Sequence, residues 1–238
     1  MHRILAWDTS GRTGVLCAFE WDPRGGQLEI HHQELLEMDQ RQHSEGLFVG
    51  LEAALKHAAW QWSDLTEIGV GIGPGSFTGV RVGLTAARTF GQMLGIGLVP
   101  VSSLAVRARA FFKARSDSGH AGQQAVCTEA CMGEVYLRVE SAQGVQESVQ
   151  HISGLGALGG FESSGLWLSS AKMAEFRPKG WKWVELDSGA ASFPAALAHE
   201  VASVTLQAGG RSALEVHPAY LRAPDAQLKL EARRAAIR

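Results

Sequence analysis

The stretch Gly71-Ile-Gly-Pro-Gly-Ser-Phe-Thr-Gly-Val-Arg-Val-Gly83 constrains the fold more than any other part of the chain. A strand-like run from Glu67 to Ile72 enters it and a helix-like run leaves it, so it reads as a strand-to-helix turn built for a backbone task. Glycine permits positive φ and close approach of another group, Pro74 fixes one φ, and Ser76 or Thr78 can cap the following helix through a side-chain oxygen. The amino terminus of that helix then faces outward with unpaired N–H groups. Nucleotide-binding patterns do not fit. No lysine follows these glycines as a Walker A loop requires, and Ser76 and Thr78 stand where the dinucleotide fingerprint needs its third glycine. Ser76 also lacks the Gly-x-Ser-x-Gly frame of a nucleophile elbow. The residues alone leave two readings open, a structural turn and a backbone surface that meets a ligand or partner.

Around this turn the chain alternates in a definite order. Arg3 to Thr9, Thr13 to Glu20 and Gln27 to Glu37 read as three strands of an antiparallel meander, separated by turn residues. A helix from Ser44 to Trp60 follows, with Leu47, Leu51, Leu55 and Ala58 along one face. After the glycine turn come a helix from Gly79 to Ile96, a strand at Leu98 to Val101 and a helix capped by Ser102. The second half, from about Gln123, is more irregular and rich in strands, until Phe193 to Ala208 reads as a returning helix with Pro194 in its first turn. With 238 residues and 45% hydrophobic content the chain can bury a sizeable core, and two lobes are expected, 1–115 and 116–238. No internal repeat is visible in the residues.

The segment Gly73-Pro-Gly-Ser-Phe-Thr-Gly-Val-Arg81 closely resembles the signature of the bacterial TsaB (YeaZ) family of tRNA threonylcarbamoyladenosine biosynthesis proteins. Ile4-Leu-Ala-Trp-Asp-Thr-Ser10, His43-Ser-Glu45, Met132-Gly-Glu-Val-Tyr136 and Pro218-Ala-Tyr-Leu-Arg222 agree with it in order. The resemblance implies an α/β fold of two ribonuclease-H-like lobes, as in the sugar kinase, Hsp70 and actin superfamily. It also implies a function: a non-catalytic subunit that scaffolds and activates the transferase TsaD in the t6A modification of tRNA. The implied partners are TsaD, TsaE in a ternary complex, tRNA indirectly, and a second copy of the chain when TsaD is absent. ATP and metal would belong to the partner subunits. An active small-molecule kinase or a glycoprotease-like enzyme of the same fold is the alternative.

Within that frame Asp8, Thr9 and Ser10 sit where active members of the superfamily place a phosphate- or metal-coordinating acid, and a carboxylate beside hydroxyls suits hydrated Mg²⁺. The bland reading is a turn acid bonding its own backbone. A working cleft needs a second phosphate loop. Thr128-Glu-Ala-Cys-Met-Gly133 lacks the Asp-x-Gly arrangement, and Glu129 and Cys131 replace the aspartate and arginine usual in the family, so only Gly133, Glu134 and Tyr136 are carried over. No two histidines stand four apart, which removes the helical metal pair of the catalytic relative. His31 and His32, adjacent on a strand, are expected on opposite faces, and His43 is expected at a cap or interface. The expectation is therefore no catalytic residue, a vestigial phosphate site at Asp8, Thr9 and Ser10, and no metal.

The helix after the turn carries Gly79, Gly83, Ala87, Gly91 and Gly95 in an i, i+4 row. Interior glycine costs about 1 kcal/mol relative to alanine, so close packing against another backbone must compensate. That backbone belongs either to the preceding helix or to another protein. The family resemblance places partner contacts on these two helices, which makes Ser44, Leu47, Leu51, Gly79, Gly83, Ala87 and Gly91 the expected interface. Lys229, Arg233, Arg234 and Arg238 form a mildly basic tail. With 22 basic against 24 acidic residues the bulk charge attracts neither nucleic acid nor anionic membrane. Cys17, Cys127 and Cys131 show no disulfide framework, and no apolar run reaches membrane-span length, so a soluble, cytoplasmic protein is expected.

Overall fold

A computed structural model describes residues 1–37, 43–116, 122–130, 133–157, 161, 165–186 and 192–221. The first sheet is built by β1 (His2–Asp8), β2 (Thr13–Asp22), β3 (Gln27–Glu37), β4 (Glu67–Gly71) and β5 (Gly97–Val101), in the order β3-β2-β1-β4-β5. β1, β2 and β3 pair antiparallel, whereas β4 and β5 continue parallel to β1. Parallel neighbours need crossovers, and α1 (His43–Ala58) and α2 (Phe77–Leu94) supply them. These two helices cover one face with Leu5, Trp7, Leu16, Leu47, Leu51 and Leu84 between them and the sheet. On the opposite face α3 (Ser103–Ser116) and α4 (Ser192–Ala208) enclose Ile4, Ala6, Cys17, Phe19, Phe193, Leu197 and Val201. Burial on both faces explains why Ile4-Leu-Ala-Trp7 is continuously apolar rather than alternating.

The second sheet contains β6 (Gln123–Glu129), β7 (Glu134–Ser141), β8 (Gly144–His151), β9 (Gly165–Ser169) and β10 (Lys182–Glu185) in the order β10-β9-β6-β7-β8. Again three antiparallel strands come first and two parallel strands are added beside the first of them. The topology of the first sheet is thus repeated. Short helical turns, Ile152–Ala157 and Ala171–Phe176, stand where α1 and α2 stand in the first lobe. The repeat escaped the sequence because it lies in strand pairing, which many residue choices satisfy, while the helices that would mark its period have shrunk to single turns. α4 then returns to the first sheet, packing on β2, β3 and β5.

Leu104 and Ala108 of α3 pack against Val126, Leu166 and Leu168 of the second sheet, so α3 is the shared wall between lobes. Its cap extends the link. The Ser102 hydroxyl accepts from the Leu104 and Ala105 N–H groups at 3.2 and 3.3 Å and donates to Glu147 Oε1 at 2.6 Å. Arg138 grips the same Glu147 oxygen at 2.6 Å and Glu140 Oε1 at 2.6 Å. These charge-assisted bonds hold Arg138 more firmly protonated, against the opposing effect of its burial.

Two expectations are corrected. A β-bulge between Ala18 and Phe19 makes His31 an extra residue opposite β2, so His31 and His32 share a face. The His31 ring meets Trp60 edge-on at 5.0 Å and His32 stacks on His57 of α1 at 4.7 Å. The small-residue row also faces inward. Leu47, Leu51 and Ala87 are fully buried, and Cβ atoms added at Gly79, Gly83 or Gly91 would meet Thr9 O at 2.0 Å, Thr9 Oγ1 at 2.3 Å or Leu98 Cδ2 at 2.9 Å. The close partner of α2 is neither α1 nor another protein but the end of β1 and strand β5. Replacing Gly83 by leucine is therefore expected to destabilise the isolated chain by about 1–3 kcal/mol through overpacking. Thermal melting checks this: a drop of several degrees is expected, and an unchanged midpoint would return the row to the surface.

Candidate functional site

The carboxyl end of β1 and the glycine turn form one hydrogen-bonded unit. Asp8, Thr9 and Ser10 are all buried, at 6%, 1% and 3% exposure. Asp8 Oδ1 accepts from the Ser10 N–H at 2.8 Å, closing the local turn expected of an aspartate before a serine and glycine. The Thr9 hydroxyl donates to the Gly79 carbonyl at 2.7 Å, and the Trp7 indole N–H donates to the Gly83 carbonyl at 2.9 Å. From the other side the Ser76 N–H donates to the Ser10 carbonyl at 2.7 Å. Such bonds require the α2 backbone to lie against β1 without intervening side chains, which is the physical use of Gly79 and Gly83.

The turn itself is anchored at three further points. Ser76 is the N-cap of α2, its hydroxyl accepting from the Gly79 N–H at 3.2 Å, so the capping choice falls on Ser76 rather than Thr78. Gly73 adopts φ +95° before the buried Pro74, its N–H donates to Ser103 Oγ at 3.2 Å and its carbonyl accepts from the Ser103 N–H at 2.8 Å. The Ala219 N–H donates to the Ile72 carbonyl at 2.8 Å, bringing the Pro218-Ala-Tyr-Leu segment alongside. Phe77 and Tyr220 stack there at 5.4 Å, with the Arg81 guanidinium 5.3 Å from the Phe77 ring, and Thr78 and Gly75 complete the loop.

A residue that sequence reasoning missed completes the site. Arg107 of α3 reaches the β1 turn, donating to the Ser103 carbonyl at 2.9 Å and to Ser10 Oγ at 3.5 Å. Burial lowers the affinity of its guanidinium for a proton and the neighbouring Asp8 charge raises it. An arginine keeps its charge under such opposing effects, so a cationic side chain of the chain itself lies within electrostatic range of Asp8, bonded to Ser10 and Ser103 rather than to the carboxylate. The signal was available only in part, as an arginine one turn after the cap of α3. Glu129 closes β6 as Asp8 closes β1, in the matching place of the repeated topology. Among the described residues no group of three metal-capable side chains includes Asp8. Nor do the described thiols offer a nucleophile: burial pushes Cys127 up to about 12, with Glu129 adding to it, and raises Cys17 further.

On the other side of α1 and α2, large apolar side chains are exposed among polar ones. Phe48, Val49 and Met93 are exposed at 46%, 67% and 76%. The Phe90 ring lies 5.9 Å from Phe48, edge to face, and stacks on Trp62 at 4.2 Å. Phe48, Val49 and Met93 sit off the core-facing stripe, and attention to that stripe hid them, whereas Phe90 and Trp62 pack partly against the core. Ser44 lies within α1, but its side chain falls outside the described residues, as do Cys131, Met132, Arg222 and the basic tail from Lys229 to Arg238.

Residues 36–158 match the family model of TsaD, tRNA N6-adenosine threonylcarbamoyltransferase. The chain belongs to this family. Similar proteins within reach of it include the tRNA threonylcarbamoyladenosine biosynthesis protein TsaB of Haemophilus influenzae, 30% identical over 62% of this chain and 56% of that one. An uncharacterised protein of Mycobacterium tuberculosis is 44% identical over 30% of this chain and 34% of its own length. The matches thus span about a third to a little over half of these relatives. Solved YeaZ from Pseudomonas aeruginosa superposes with a TM-score of 0.69 at 24% identity, covering 93% of this chain and all of that one, and shows the same two-lobed fold. The TsaB resemblance read from Gly73 to Arg81 stands with these relatives.

The electrostatic influence of Asp8 on Arg107 is open to a double-substitution test. Arg107→Met removes the bonds to the Ser103 carbonyl and Ser10 Oγ together with the charge near Asp8, and is expected to cost about 1–3 kcal/mol in urea unfolding. Asp8→Asn keeps the turn bond to Ser10, and in the double variant the two losses should overlap by more than about 0.5 kcal/mol. Additive losses would show that the two groups do not interact.

Proposed function

We propose that this chain is a non-catalytic, partner-binding subunit of the machinery that installs N6-threonylcarbamoyl on tRNA adenosine, pairing with the transferase TsaD. Support comes from the TsaB relative and from the chemistry of the β1 turn. Its acid bonds its own backbone at Ser10, the Thr9 hydroxyl is engaged with α2, and the Ser10 hydroxyl is engaged with Arg107 of α3, whose charge lies within electrostatic range of Asp8. Metal-assisted phosphoryl transfer needs an acid free to hold Mg²⁺, and a nearby arginine charge disfavours the ion. In this reading ATP and metal bind to partner subunits, tRNA is contacted indirectly, TsaE joins a ternary complex, and the setting is the cytoplasm. No described helix is long and apolar enough to cross a membrane.

The observation that carries the pairing is the aromatic outer face of α1 and α2. Phe48, Val49 and Met93 are exposed there, and the Phe48 ring rests on the partly buried ring of Phe90, which stacks on the partly buried ring of Trp62. Buried aromatic anchors dominate protein interfaces, and a helix face that exposes several of them gives a partner helix ready contacts. The same face serves a second copy of the chain when TsaD is absent. This surface replaces the inward-facing glycine row as the site of contact.

A kinase of the same fold is the second reading, favoured by Asp8 and Glu129 closing matching strands. Titration with Mg-ATP and with tRNA, each with and without TsaD, separates the two. The isolated chain is expected neither to turn over ATP nor to modify tRNA, and turnover on the order of 1 per second or faster would establish the kinase. Phe48→Glu should weaken TsaD binding about 30-fold, a hot-spot loss of about 2 kcal/mol, while the half-exposed position leaves the melting temperature nearly unchanged. Undiminished TsaD affinity of the folded variant would remove this face from the interface.

A further inference from the structure

Far from the β1 turn, at the opposite end of the first sheet, three metal-capable side chains converge. Glu20 of β2 and Glu29 of β3 are direct cross-strand partners, and the bulged His31 is turned toward them. One ligand atom from each residue lies within 4.8 Å of the others. We propose that Glu20, Glu29 and His31 form a binding site for a divalent transition metal of the zinc type, one that clips the β2–β3 edge of the sheet.

Three features of the chain support the assignment independently of one another. Two carboxylates directly opposite on adjacent strands repel, which destabilises a strand pair unless a cation lies between them. Arg3 offsets only part of this, since its Nε donates to Glu20 Oε1 at 2.9 Å and leaves Oε2 turned toward His31. The second feature is His31 Nε2. It is shielded from solvent and has no hydrogen-bond partner, while Glu20 Oε2 stands 3.7 Å away. A buried ring nitrogen without a partner is costly, and a metal bond satisfies it. Third, the bulge, which also sets Leu35 on the same core face as Leu28 and Ile30, brings the imidazole onto the carboxylate face.

One imidazole nitrogen and two carboxylate oxygens suit Zn²⁺ and its neighbours in the first transition row. Bonds of about 2.0–2.2 Å hold donors no more than about 4.4 Å apart, so one side chain must swing inward slightly. Exposed Glu29 has that freedom. The two other side chains are held in place. Arg3 orients the Glu20 carboxylate from behind, and the His31 ring rests edge-on against Trp60 at 5.0 Å. Hydrogen-bonded and packed surroundings of this kind orient metal ligands and raise affinity.

The test uses the full chain without an affinity tag. Zn²⁺ titration by calorimetry, and Co²⁺ titration followed by visible absorption, should each saturate at one equivalent. Glu29→Gln, an exposed and nearly isosteric change that keeps the fold, and His31→Gln should each weaken Zn²⁺ binding at least tenfold. His151→Gln, at an exposed histidine on β8, should leave it unchanged. Absence of saturable uptake, or one-equivalent uptake that neither Glu29→Gln nor His31→Gln weakens, would overturn the site.

Discussion

The contact on which the rest depends is the backbone-to-backbone approach between the end of β1 and the first turns of α2. Thr9 and Trp7 hand their side-chain donors to the carbonyls of Gly79 and Gly83 at 2.7 and 2.9 Å. A methyl group at either glycine would collide with Thr9. Helical carbonyls that already accept intrahelical bonds can take a second donor through their remaining lone pair, so these bonds do not unwind α2. They fix the helix at one height and rotation on the sheet. From that placement follow the inward stripe of Val80, Leu84 and Ala87 and the outward presentation of Met93.

The same anchoring carries across to the second lobe. The glycine turn is bound to Ser103 at the start of α3, and α3 is the wall shared with the second sheet. Its capping serine is at once a helix-terminal acceptor and a donor to Glu147, whose other partner is Arg138. A shift of the first lobe's turn is therefore felt at β7 and β8. The tie between the lobes is thus a part-buried serine-to-glutamate hydrogen bond whose acceptor is held in place by an ion pair within the second sheet.

Arg107 and the α1–α2 surface bear on function in complementary ways. The Arg107 charge near Asp8 lowers the attraction of that carboxylate for a metal ion. Exposed Phe48, Val49 and Met93 leave apolar area in water that association with a partner would remove. Both features enter the proposed function, the first as an argument against chemistry at β1 and the second as an argument for contact.

What the sequence determined by itself was local or periodic. The meander, the two crossover helices, the Ser102 cap and the turn at Gly71 to Gly83 follow from patterns within a few residues, because apolar period, caps and glycine act at that range. The choice of Ser76 over Thr78 as the cap of α2, and the approach of the Pro218 segment to the turn, came only with the fold. Tertiary structure alone decided which way things face. A helical row of small residues states that something lies close, not what, and only the fold shows that it is Thr9 and Leu98. His31 and His32 were misplaced because a bulge adds one residue to one strand, which no alternation rule detects. Arg107 comes within electrostatic range of Asp8 across 99 positions of chain, the repeat of the first sheet lives in hydrogen-bond order, and the exposed apolar residues of α1 and α2 are ones that the core stripe leaves outside. Each of these depends on distances between segments that only folding brings together.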